Sequence, residues 1–197
     1  MFRRNMIAAA GLALMTGAAQ AHTGIGDTGG LFHGFVHPMS GIDHILAMVG
    51  VGLFAAQLGG HALWLVPASF VVMMAGSGAL GMAGVGLPFV ELGIGLSVVA
   101  LGLVGLLQAN MATTAAMALV GFFALFHGHA HGAEMPQTAS GLEYAAGFVA
   151  TTAMLHSVGL MLGFSVAKMS DRYGKYVLRA GGAATALAGA AILAGYI

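Results

Sequence analysis

The octapeptide His37-Pro38-Met39-Ser40-Gly41-Ile42-Asp43-His44 places two imidazoles and a carboxylate at the mouth of a run of residues fit only for lipid. Ionisable groups are expensive inside hydrocarbon, so those a membrane chain retains there are functional candidates. A second cluster, Phe126-His127-Gly128-His129-Ala130-His131-Gly132-Ala133-Glu134, closes another apolar run in the same way, and the two hold five of the nine histidines. The remaining sequence reads as the scaffold that brings them together.

Composition sets the class. With 59% hydrophobic and 6% charged residues, against roughly 25% charged in soluble domains, the chain cannot cover a globular surface with polar groups. It reads as an integral membrane protein in contact with lipid. Its 197 residues accommodate a handful of spans of about 20 residues each. A formal net charge of zero argues against nucleic acid as a partner. The absence of cysteine excludes disulfides, thiolate metal sites and cysteine nucleophiles, leaving nitrogen, oxygen or thioether ligands for any metal.

The expected fold is all-α: a polytopic six-transmembrane-helix bundle at residues 22–197, following a cleavable N-terminal signal peptide at residues 1–21. Arg3-Arg4, an apolar core from Met6 to Ala18 and then Ala19-Gln20-Ala21 follow the charged, hydrophobic and small-residue order of such a peptide. The mature chain then begins at His22, whose α-amino group and imidazole could chelate a metal together. Six apolar stretches follow at 35–58, 61–83, 88–107, 112–131, 142–166 and 177–197, separated by Gly59-Gly60, residues 84–88, Gln108-Ala109-Asn110, residues 132–141 and residues 168–175. Glycine and polar interruptions of this kind separate helices. The last stretch carries Gly182, Ala186, Gly189 and Ala190, small residues suited to close helix packing. The 14 methionines are scattered and read as filler of apolar interfaces rather than as ligands.

Two cues orient the chain. An exported amino terminus puts the connections after spans one, three and five in the cytoplasm. Lys168, Arg172 and Lys175 all lie after span five, with Arg179 just beyond, and no other connection of the mature chain carries Lys or Arg, which satisfies the positive-inside rule. Both clusters, Glu91 and Glu143 then face the extracytoplasmic side, as do both mature termini.

Spacing separates the residues within each cluster. His37 and His44 are seven apart and about 10 Å from each other along a regular helix, too far to share an ion. Pro38 suits a helix start and biases the residue before it towards extended geometry, leaving His37 free to fold back over that start. Asp43 and His44 lie about 8 Å into the span, where either a bound cation or a structural Asp–His pair satisfies the carboxylate. His33, four residues before His37, extends the same face if the helix begins early. In the second cluster His127 and His131 are i and i+4, a spacing that lets both rings converge on one ion, and Glu134 continues their face. His129 points away. A divalent ion between Asp43, Glu134 and neutral imidazoles would make a site of zero net charge, which lowers the cost of placing it below the membrane surface. Deeper, His156 lies roughly 20 Å from the outer end of span five and is a candidate step on a path inward.

His37-x5-Asp43-His44 in the first mature span, with Phe126-His127-Gly128-x-Ala130-His131-Gly132-x-Glu134 in the fourth, resembles the paired signatures of the HupE/UreJ family of nickel permeases, accessory to hydrogenase and urease. The likeness covers the whole chain. It implies a secondary transporter of the bacterial inner membrane that imports Ni²⁺, or Co²⁺ in some relatives, with His37, Asp43, His44, His127, His131 and Glu134 binding the metal and His129 on a variable position. The ion is cargo, and no permanently bound cofactor is expected. A periplasm-facing protein that binds or senses metal without transport is the alternative. A membrane metalloenzyme fits less well, because no base is paired with a nucleophile.

Overall fold

Hydrocarbon offers no partner to a backbone N–H or C=O group, so each apolar run satisfies its own as helix. The computed structural model describes residues 29–135 and 139–196, which contain no strand. The expected signal peptide and His22 lie outside the described residues. The elements are α1 (Gly30–Val36), a 3-10 turn (His37–Met39), α2 (Ile42–Leu58), α3 (Ala62–Met82), α4 (Val90–Leu107), α5 (Thr113–Ala133), α6 (Gly141–Ala167) and α7 (Asp171–Leu193). Helices α3 to α7 are each long and apolar enough to cross a membrane, and α1 with α2 forms a pair bent by 83°.

By length and apolarity the pair, taken together, counts as a sixth candidate span. Gly30, Leu31 and Gly34 of α1 lie against Ser140, just before α6, and against Gly147 and Tyr144 in its first half, while Gly52 and Val49 of α2 lie against His156 and Gly159 in its second half. At the break the Thr151 hydroxyl donates to the Phe35 carbonyl at 2.5 Å. Between them the two pieces follow the 27 residues of α6. The first span therefore begins at Gly30, earlier than the expected 35, and turns at Pro38 and Gly41. The last span also begins early: the connection shrinks to residues 168–170, and Arg172, Lys175 and Arg179 ride on the first turns of α7. Long basic side chains can lie along such a helix with their charges at its end, which lets helix run through a segment that reads as a polar interruption.

Close helix approach organises the bundle. Helices α3 and α5 meet along a seam where a β-carbon at Gly128 would run into the Met74 carbonyl and one at Gly132 into the Gly78 carbonyl. Helices α4 and α7 meet similarly at Gly102 and Gly182, which bears out the close-packing reading of the last span. Backbones brought this near gain dispersion contacts, the chief source of helix association where no hydrophobic drive exists between helix and lipid. The α3–α5 seam also fixes the height of the second histidine cluster, since Gly128 and Gly132 interleave with His127 and His131.

Gly132→Val should therefore overpack the seam and destabilise by about 1–3 kcal/mol or more, lowering the melting temperature of the detergent-purified protein. Gly76→Val is the control, because a β-carbon there meets nothing within 4 Å, and its melting temperature should stay near that of the parent.

Candidate metal centre

The site begins with the residues that interrupt the first span. Pro38 has no N–H to continue a helix, and the Ser40 hydroxyl and N–H both donate to the His37 carbonyl, at 2.6 and 3.0 Å. Gly41 is extended, with φ −102° and ψ 125°. A β-carbon there would lie 2.5 Å from Asp43 Oδ1, so glycine leaves the carboxylate room to fold back. Asp43 Oδ1 accepts the His44 backbone N–H at 2.8 Å and lies 2.9 Å from His44 Nδ1. A carboxylate oxygen beside a ring nitrogen selects the tautomer with its proton on Nδ1. The Nε2 lone pair is then free, and Nε2 is buried without a hydrogen-bond partner among the described residues. Carboxylate, imidazole and open lone pair in series is the arrangement by which proteins orient histidine toward a metal.

The second cluster presents lone pairs from α5. Ser97 of α4 has one hydroxyl proton and donates it to the Ile94 carbonyl at 2.6 Å. Its oxygen, 2.8 Å from His127 Nε2, must therefore accept from that nitrogen, leaving the Nδ1 lone pair of His127 open and buried. His131 is 3% exposed, and neither of its ring nitrogens has a partner among the described residues. The rings are contiguous: His44 lies 4.2 Å from His131 and 4.6 Å from His127, centroid to centroid, and His37 lies 4.7 Å from His131.

His37 does not take the extended backbone that Pro38 favours: with φ −56° and ψ −46° it stays helical and opens the 3-10 turn, from which its Nε2 lies 3.1 Å from Glu134 Oε2. This hydrogen bond holds the Glu134 carboxyl below its usual range against the opposing effect of partial burial. His37, His131 and Glu134 can each offer one ligand atom with all three within 4.8 Å of one another. A cavity of about 180 Å³ joins this trio to Asp43, His44 and Glu91. Three carboxylates on one small cavity focus a field that favours cations.

Other candidates fall elsewhere. His129 turns away, its Nε2–H donating to the Val85 carbonyl at 2.6 Å. His33 is exposed on α1 and does not line the cavity. His156 is buried but lies beyond Phe70, whose ring is 5.7 Å from His127 and 5.2 Å from His156. Sequence reasoning missed Ser97 and Tyr144. Ser97 is a lone hydroxyl in an apolar run six residues after Glu91, a signal that was present. Tyr144 lies beside His37, with ring centroids 6.2 Å apart, and only the fold brings the two together.

A family model described as HupE / UreJ protein matches residues 10–192. Protein HupE of Rhizobium leguminosarum bv. viciae is 48% identical over 180 residues, covering 90% of this chain and 91% of the relative. No solved structure matches. A multi-pass helical bundle that carries both signatures, and matches family and relative over nearly its whole length, is a member of the HupE/UreJ family of membrane proteins.

Proposed function

We propose that this protein is a secondary permease that takes a divalent transition metal ion, nickel foremost and cobalt as a possible second cargo, from the periplasm into the cytoplasm. The observation that carries the reading is the trio His37, His131 and Glu134, whose ligand atoms lie within 4.8 Å of one another, with the rings of His44 and His127 packed beside it. His44 Nε2, His127 Nδ1 and both nitrogens of His131 are buried without partners, next to the His37–Glu134 pair. An unpaired buried polar atom costs about 1–3 kcal/mol, and a metal ion satisfies several at once. Imidazole with carboxylate suits nickel, cobalt and zinc. Asp43 and Glu134 supply the negative charge, Asp43 by way of His44.

Position supports transport over storage. Sites in secondary transporters sit where a spanning helix is broken, since irregular backbone at membrane depth is tolerated where it lines a cavity. The break at residues 37–41 is such a place. The lysines and arginines on α7 and before it put that end in the cytoplasm, which leaves the cavity open to the periplasm. Family membership links the cargo to hydrogenase or urease maturation. The domain plan is a leader at residues 1–21 and a permease at residues 22–197, in the inner membrane with both mature termini periplasmic.

Orientation is checked by thiol labelling, for which the cysteine-free chain is ready. A cysteine replacing Ser140 should react with an impermeant reagent in whole cells, and one replacing Lys175 should not. The reverse pattern would place the cavity on the wrong side for uptake.

Ligand rank is checked by nickel uptake at matched membrane levels. Loss of a metal-orienting partner typically costs 10–100-fold, so Asp43→Ala, His44→Ala and His131→Ala should each leave less than about a tenth of parental uptake. His129→Ala should keep most of it. Uptake that needs His129 and ignores His131 would refute the site.

A further inference from the structure

Beneath the cavity lies a further buried imidazole that the proposed ligand set does not use. His156 is 2% exposed, about 22 Å along α6 from Gly141 at 1.5 Å per residue. Both ring nitrogens are buried without a hydrogen-bond partner among the described residues. A histidine needed only for bulk would be better replaced by an apolar residue, because each unmet nitrogen is a cost.

Its neighbours come from α3, α5 and its own helix. Phe70 of α3 meets His156 edge to face, with centroids 5.2 Å apart and planes at 88°, and the same ring lies 5.7 Å from His127. The aromatic ring thus contacts both His127 of the ligand cluster and the next imidazole down. One turn toward the cavity from His156 and from Phe70 stand Thr152 and Met74, both buried, with the Thr152 hydroxyl 3.5 Å from the Met74 sulfur. Imidazole, thioether and hydroxyl are all donors that a borderline first-row ion accepts, and none of them carries charge.

Below His156 the path is shut by backbone. A β-carbon on Gly52 would run into the His156 carbonyl, and one on Gly159 into the Val49 carbonyl, so α2 and α6 leave no room between them. Two cavities of about 230 and 280 Å³ share Leu53, Gln57, Val166 and Leu178, the first reaching Gly50 alongside this seam and the second lying beyond it. The second is also lined by Gln108 and Lys175. Cavity, ligand cluster, ring, lone histidine, seam and second cavity follow one another through the bundle.

We infer that His156 is a second, inner binding site for the transported ion, entered when the Phe70 ring moves aside and left when the α2–α6 seam at Gly52 and Gly159 opens. This rests on the permease reading. A site of neutral ligands holds a divalent ion less firmly than one with carboxylates, which suits release over capture. The two helices that seal it are also the one that carries His44 and the one that carries His156, so motion of α2 couples the two sites.

The test compares wild-type protein with His156→Phe and His156→Leu, measuring equilibrium nickel binding in detergent and nickel uptake into liposomes. Phe keeps bulk and Leu reduces it, so a shared effect is not steric. Each variant should bind nickel at the carboxylate-bearing cavity within about threefold of wild type and lose uptake by about tenfold or more, the scale on which a missing ligand is felt. If one variant does not reach the membrane, the other is read by the same two measurements. Uptake within twofold of wild type in either variant would overturn the inner site. So would loss of binding together with uptake, since His156 would then be part of the cavity's own framework. Wild-type protein that binds nickel without taking it up would instead overturn the permease reading, and the inner site with it.

Discussion

A chain that breaks its helix within hydrocarbon must find new partners for the backbone groups it frees, and the rest of this structure depends on how residues 37–41 do so. The His37 carbonyl is met by Ser40, the Phe35 carbonyl by Thr151, and the His44 N–H by the Asp43 carboxylate. None of these partners is an accident of loop geometry. The carboxylate that caps the start of α2 is also the one that fixes the His44 tautomer. Helix initiation and the orientation of the His44 ring are thus one interaction, and the favourable placement of an acid at a helix start offsets part of the cost of burying it.

The glycine seams follow from the same need. Imidazoles from α2 and α5 meet within 5 Å of one another, centroid to centroid, which requires the helices carrying them to be held at fixed depth. The α3–α5 seam sets the height of His127 and His131, and the α2–α6 crossing sets that of His44. Packing here acts through position: a shift of one residue along either seam, about 1.5 Å, would separate rings that now lie in contact.

Much of this was legible in the residues alone. Apolar runs located every span, because no other structure satisfies a backbone in lipid, and the four-residue spacing of His127 and His131 told them apart from His129 before any coordinates. Pro38 marked the break, but not the helical backbone that His37 keeps before it. What could not be read was set by neighbours distant in sequence. The bend at Gly41 depends on room for Asp43, the proton on His127 depends on a serine thirty residues away, and the pairing of His37 with Glu134 spans ninety-seven. The early start of α7 was misread because Arg172 and Lys175 look like a loop in a hydropathy profile, although on a helix they share a face at three-residue spacing.

The central claim is that a broken first span and the end of α5 together make one site whose working atoms are imidazole nitrogens. X-ray absorption at the nickel K-edge of purified, nickel-loaded protein tests it most directly. The account predicts a first shell of nitrogen and oxygen near 2.1 Å, the usual imidazole distance for a first-row ion, with the outer-shell scattering of at least two imidazole rings. A shell of oxygen without ring scattering, or one dominated by sulfur, would contradict it.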